Sequence, residues 1–143
     1  MVRIDRNLCA PLVKKRSMFT VGLMILVWGC HWLHAATVSV PEEQPTIQAG
    51  IEATVDGDTV LVSSGTYTGT GNVNLDFKGK TITVKSVNGA STAIIDCQNQ
   101  NIRGVYFHSG ETFSSILDGF TITGGKATGV WPNNIGGGIY CNK

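Results

Sequence analysis

Apolar residues recur in this chain with a fixed period. Val73, Ile95, Leu117 and Ile139 stand at equal intervals of 22 along it. Their successors Asn74, Asp96, Asp118 and Tyr140 keep step, as do Leu75, Cys97, Gly119 and Cys141. A second series runs through Val60 and Val62, then Ile82 and Val84 after a step of 22, then Val105 and Phe107 after 23, the slip being an insertion in a turn. Two columns of short alternating strands sharing one period predict a coil in which each strand pairs with its equivalent one turn later, an all-β parallel solenoid. Stacked turns bury a continuous apolar column that no single turn can hide, and they satisfy the strand amides above and below. The rival is an antiparallel sandwich with glycine turns, and a period common to two columns favours the solenoid over it. Glycine agrees with many tight corners, since 16 of the 18 glycines lie beyond residue 35.

Residues 1–35 are of another kind. They hold Arg3, Arg6, Lys14, Lys15 and Arg16 against Asp5, a net of +4. Of the chain's 11 basic and 10 acidic groups the remainder then keeps 6 and 9, a net of −3. That balance excludes a phosphate-neutralising basic face, and with it nucleic acid as a partner. Met18–Gly29 is almost wholly apolar, follows Lys14-Lys15-Arg16, and leads to small residues at Ala35-Ala36. This reads as an export signal over 1–35, too short for the roughly 20 apolar residues of a membrane span. A lipoprotein signal at Val27-Trp28-Gly29-Cys30 is the other reading, and the bulk of Trp28 speaks against it. Cleavage removes Cys9 and Cys30 and leaves Cys97 and Cys141, with no membrane span in the mature chain.

Residues 36–58 read as a strand and a capping helix. Ile47, Ile51 and Val55 lie at i, i+4 and i+8, with Thr46 as N-cap and Asp56-Gly57-Asp58 as the turn out. Such a helix covers the open end of a stack and shields an edge strand. Residues 59–143 then form the coils. They stop at Ile139-Tyr140-Cys141-Asn142-Lys143 in what reads as a fresh strand, so the expectation is the N-terminal piece of a longer protein.

Several words in this region carry a resemblance: Val40-Pro41-Glu42-Glu43-Gln44-Pro45-Thr46-Ile47-Gln48-Ala49-Gly50-Ile51, Asp56-Gly57-Asp58-Thr59-Val60-Leu61-Val62, Gly65-Thr66-Tyr67, Ile94-Ile95-Asp96-Cys97, and Leu117-Asp118-Gly119-Phe120-Thr121-Ile122-Thr123-Gly124-Gly125. Together they resemble the N-terminal end of secreted bacterial right-handed parallel β-helix proteins of the pectin-lyase-like superfamily. Gly137-Gly138-Ile139 is similar to the Gly-Gly-x-Ile repeats of polymorphic outer-membrane adhesins. The first resemblance implies a right-handed β-helix, export to the medium or cell surface, and extracellular polysaccharide as a partner. Its members include lyases, hydrolases and surface proteins without catalysis. Hydrolase members resemble one another in Asn-Thr-Asp, Asp-Asp, Gly-His-Asp and Arg-Ile-Lys words, none of which occurs here. No catalytic residue is assigned, and two functions stand: a secreted or surface protein binding glycans or partners, and the first part of a pectate-lyase-like enzyme whose active site lies beyond residue 143.

The period makes further local forecasts. Asp96 and Asp118 at one station on adjacent coils lie about 4.8 Å apart. Two carboxylates that close call for water, a shared proton or a cation, so a Ca²⁺ site over Asp96 and Asp118 is chemically sensible. Ca²⁺ takes roughly 6–8 oxygens, and solvated aspartates or aspartates bonding turn amides are the other reading. Cys97 and Cys141 fall two turns apart, about 9.6 Å, beyond the roughly 7 Å a disulfide spans, which predicts two buried free thiols. Arg103 is the one arginine after residue 35 and reads as structural or solvated. His108, with Glu111 as the near carboxylate, reads as a loop histidine. Trp131 is a sugar-stacking or loop-anchoring candidate. The glycines of Gly69-Thr70-Gly71 and Gly124-Gly125-Lys126 miss the phosphate-loop spacings and read as corners.

Overall fold

A computed structural model describes residues 34–130 and 134–142. Trp131 and all but the last two residues of the expected leader lie outside them. Within the described residues the chain runs β1 (Thr37–Val40), α1 (Ile47–Ala53), β2 (Thr59–Val62), β3 (Gly65–Tyr67), β4 (Thr83–Ser86), β5 (Ala93–Asp96), β6 (Val105–Phe107), β7 (Ile116–Asp118), β8 (Thr121–Thr123) and β9 (Ile139–Cys141). It is an all-β chain of short strands with one short helix, as expected, and every strand pair is parallel.

The strands form three sheets, ordered β1-β2-β4-β7, β3-β5-β8 and β6-β9. Leu75 extends the third through a single parallel bridge to Val105. Each sheet turns apolar residues inward in register: Val60, Val84 and Leu117, and beside them Val40 and Val62, in the first, Tyr67, Ile95 and Ile122 in the second, Leu75, Val105 and Ile139 in the third. The buried residues of all three ladders join Ile47, Ile51 and Phe77 in one apolar cluster. Parallel strands cannot be joined by two-residue hairpins. The chain therefore leaves each strand, passes through elements outside that sheet, and returns one position along.

The uniform period does not survive. Thr37 pairs with Thr59 after a step of 22, but Thr59 pairs with Thr83 after 24 and Thr83 with Ile116 after 33. In the second sheet the return takes steps of 28 and then 27, and in the third 30 and then 34. Ile95 and Leu117 accordingly stand in different sheets, and Val60 faces Val84 rather than Ile82. The physical reason is that inward apolar positions exist on every sheet. Loops such as 109–115 lengthen the return, so an interval of 22 falls short of the same sheet and lands on an inward residue of a different one.

The helix is built as its sequence predicts at the start and departs at the end. Thr46 is the N-cap, its hydroxyl accepting from the Ala49 amide at 3.2 Å. Ile47 and Ile51 are wholly buried, but Val55 lies past the helix and is 65 % exposed. At Gly50 the helix meets the first sheet. An added Cβ there would come within 2.8 Å of Val60 Cγ1 and 3.0 Å of Val40 Cγ2, so only glycine permits this approach.

Both helix ends are closed by residues far away in sequence. The Ile47 amide donates to Asn72 Oδ1 at 3.1 Å and the Gln48 amide to the Gly71 carbonyl at 2.8 Å. The Gln48 side chain then imitates a peptide group. Its Nε2 donates to the Asp76 carbonyl and its Oε1 accepts from the Asp76 amide, both at 3.0 Å. At the other end the Lys80 ammonium donates to the carbonyls of Ile51, Glu52 and Thr54 at 2.7, 3.0 and 2.6 Å. These carbonyls lie at the helix's negative pole, where the Ile51 carbonyl also accepts from the Thr54 hydroxyl at 2.8 Å. Asp58 ties the strand before the helix to the turn after it, accepting from Ala36 and Val55 amides at 2.8 Å each.

Candidate functional site

Residues that follow strands β3, β5 and β6, together with two from α1, border a groove of about 650 Å³. Its lining mixes apolar surface, including Val73 and Ile102, with polar side chains: Gln48 and Glu52 from α1, Asn74, Asp76 and Lys78 from the segment around Leu75, Gln98 and Gln100 from the corner between β5 and β6, and His108 just after β6. The Gly69–Gly71 corner also lines it.

Two corners of the groove share one construction. Asp76 Oδ1 accepts from the Lys78 amide at 2.8 Å, and Asp96 Oδ1 accepts from the Gln98 amide at 2.8 Å. Each carboxylate thereby stabilises a left-handed residue two positions on, with φ of 58° at Lys78 and 56° at Gln98. Among the described residues four non-glycine residues have positive φ, and Asn74, Lys78 and Gln98 of these line the groove. Backbone held in that region costs of order 1–3 kcal/mol per residue and concentrates where side chains must be presented in one direction.

The groove's ionic groups are mostly engaged. Asp76 Oδ2 lies 3.2 Å from the Lys78 ammonium and accepts from the Ser109 hydroxyl at 3.2 Å. Burial pushes the Asp76 carboxyl up, but the Lys78 amide, the Lys78 ammonium and Ser109 outweigh it, and the group titrates below the usual carboxylate range. By contrast, the side-chain amides of Asn74, Gln98 and Gln100 make no hydrogen bond among the described residues.

Beside the groove, the outward side of β6 and β9 carries a stack of rings. Tyr106 and Tyr140 are paired in register, with centroids 5.2 Å apart. The Arg103 guanidinium lies 5.1 Å and 4.9 Å from the two rings, and its Nε donates to the Ile135 carbonyl. His108 meets the Tyr106 face edge-on at 3.8 Å and shares a 2.8 Å contact with the Ser109 hydroxyl. Arg103 thus has a structural role, and His108 is an exposed residue of the corner after β6, as its sequence predicts. Glu111 is directed elsewhere, accepting from the Ser109 and Gly79 amides at 2.8 and 3.0 Å.

The structure does not bring Asp96 and Asp118 together. Asp96 pairs with Thr123 in the second sheet, whereas Asp118 pairs with Lys85 in the first. Asp96 bonds a turn amide, one of the readings open from its sequence. Asp118 lies 3.6 Å from the Lys85 ammonium, with both side chains more than half exposed. The Ca²⁺ pair rested on a common station, and the unequal circuits remove it. Among the described residues no group of three or more His, Cys, Asp or Glu side chains is placed to hold a metal ion. The unequal circuits also separate the cysteines. Both are free thiols, Cys97 buried and Cys141 exposed rather than buried. Burial, and then the Asp96 charge, raises the Cys97 thiol above its ordinary value.

Gln48, Lys80 and the free amides of Gln98 and Gln100 were not legible as functional or clamping residues. No local spacing marks a partner 28 or 29 residues away. The Asp-x-Lys and Asp-x-Gln words at 76–78 and 96–98 are the one signal that finds the groove corners, through the turn each aspartate makes. Among the described residues no helix is long and apolar enough to cross a membrane. Comparisons with protein-family models, with curated proteins and with solved structures found no match to this chain.

Proposed function

We propose that this protein is an exported, right-handed parallel β-helix of the pectin-lyase-like kind that binds extracellular glycans. The winding is supported by three all-parallel sheets whose members return in chain order, and its hand by the strong preference of parallel crossovers. Export is supported by the basic and apolar leader in the sequence. The observation that carries the binding reading is the gathering of three unengaged side-chain amides along one groove, whose lining residue His108 packs on Tyr106 of the Tyr106–Tyr140 pair. A side-chain amide offers a donor and an acceptor side by side, which suits vicinal hydroxyls. Tyr106 and Tyr140 are half-buried, packed on one another and under Arg103, and the part of their rings left exposed is apolar surface for the C–H side of a sugar. A solvent-open groove suits an extended chain better than a small enclosed ligand.

Affinity electrophoresis of the full chain through gels containing soluble polysaccharides tests this. Retardation is expected in at least one glycan gel. Tyr106→Ala is expected to weaken it roughly tenfold or more, as for one well-packed aromatic anchor. Unchanged retardation in Tyr106→Ala, or release of an unsaturated product from polygalacturonate with Ca²⁺, overturns a purely binding role at this face.

A further inference from the structure

We infer that the groove selects uncharged sugar chains over polyuronates, a refinement that rests on the glycan-binding reading above. A uronate residue brings one carboxylate per sugar, and its recognition in water calls for an available cation or a metal bridge. The groove lining has one ammonium, on Lys78, paired with Asp76 at 3.2 Å, and the Arg103 guanidinium beside the groove is engaged with the Tyr106 and Tyr140 rings and the Ile135 carbonyl. The Ser109 hydroxyl and the Lys78 amide occupy the same carboxylate, so Asp76 is locked in the corner and is not displayed as a metal ligand. Glu52 adds a second carboxylate to the lining, so its two carboxylates, Asp76 and Glu52, outnumber its one ammonium. A polyanion entering the groove meets the Glu52 carboxylate and an ammonium already shared with Asp76. Lys80, the nearest cation in sequence, is spent on the carbonyls at the helix end.

What the lining leaves available is neutral. Asn74, Gln98 and Gln100 present both halves of an amide, and two of them are held at φ 54° and 56° by the corners that carry them. A neutral hydroxyl array satisfies such groups without importing charge, whereas a carboxylate uses only the donor half and leaves the carbonyl facing an anion.

Isothermal titration of the full chain with gluco-, manno-, xylo- and galacturono-hexasaccharides, with and without Ca²⁺, separates the cases. At least one neutral hexasaccharide is expected to bind at least tenfold more tightly than hexagalacturonate under both conditions. Gln100→Ala, at an exposed position that packs no core, is expected to weaken the neutral ligand several-fold. Gln100→Lys is expected to raise hexagalacturonate affinity relative to the neutral ligand. Equal or tighter binding of hexagalacturonate by the unaltered chain overturns the inference while leaving glycan binding intact. Absence of binding to all four overturns both.

Discussion

The two ends of the strand ladders carry the same kinds of residue and meet different fates. At the α1 end, Val40, Ile47, Ile51 and Val60 are wholly buried. At the β9 end, Ile139 faces inward in register with Val105, yet it is 46 % exposed. β7, β8 and β9 alternate between exposed and half-buried positions, whereas β2 and β4 alternate with fully buried ones. Facing the core is thus a property of strand register, but leaving water is a property of what lies above the strand. Where α1 lies over the ladder, isoleucine gains the full benefit of burial, roughly 1.5–3 kcal/mol for such a side chain. On β9 a comparable side chain gains about half of that.

The largest effect that tests this contrast is Ile51→Ala. It removes buried methyl and methylene groups between helix and sheet and is expected to cost about 2–5 kcal/mol, read as a lowered urea midpoint. Lys80→Met keeps most of the aliphatic stem and deletes the ammonium that holds three carbonyls of the helix end. A loss of about 1–3 kcal/mol is expected, with raised hydrogen exchange confined to α1. A loss spread evenly over all three sheets would show that the helix is not a separable unit.

Acid acts on the same end. The Val55 amide first, and the Ala36 amide next, hold the Asp58 carboxyl below its ordinary value against the opposing influence of burial. A carboxyl with a depressed folded value contributes stability that is fully present above the unfolded value, near pH 4, and is lost as pH falls through the folded one. Asp76 acts in the same direction. Far-ultraviolet dichroism between about pH 5 and pH 2 is therefore expected to show unfolding, with Asp58→Asn less stable at neutral pH and less sensitive to acid. An unaltered acid profile in Asp58→Asn would remove Asp58 from the linkage. The smallest effect belongs to the far ladder. Ile139→Ala is expected to cost about 1 kcal/mol or less because the side chain is half in water already. A cost equal to that of Ile51→Ala would erase the distinction between the two ends.

The helix was legible because its signals are local. Thr46 as N-cap and the i, i+4 pair Ile47 and Ile51 are read within one stretch of chain, and the helix starts where they predict. Val55 extended the same spacing but lies past Ala53, since the chain is already extended at Thr54. The all-β character and the alternating inward and outward residues of β2, β4 and β5 were legible for a like reason, because a period of two is a property of each strand alone. Register was not. Ile95 and Leu117 satisfy the regular spacing and lie in different sheets, because loop lengths between strands are free to vary while inward positions look alike on every sheet. Asp96 and Asp118 fell with that rule, and Cys141 became exposed.

Residue order therefore sufficed for the composition of the strands, the capped helix and the tight corners, whose causes act over a few bonds. Which strand neighbours which, and so which side chains share the groove, came from the folded chain. A Gln48 amide clamping Asp76, a Lys80 ammonium closing a helix end, and three amides gathered along one groove join segments far apart in sequence, and circuits of unequal length bring them there. Loop closure grows costlier only slowly with length, so the core tolerates each unequal circuit and leaves no regular mark of it in the sequence.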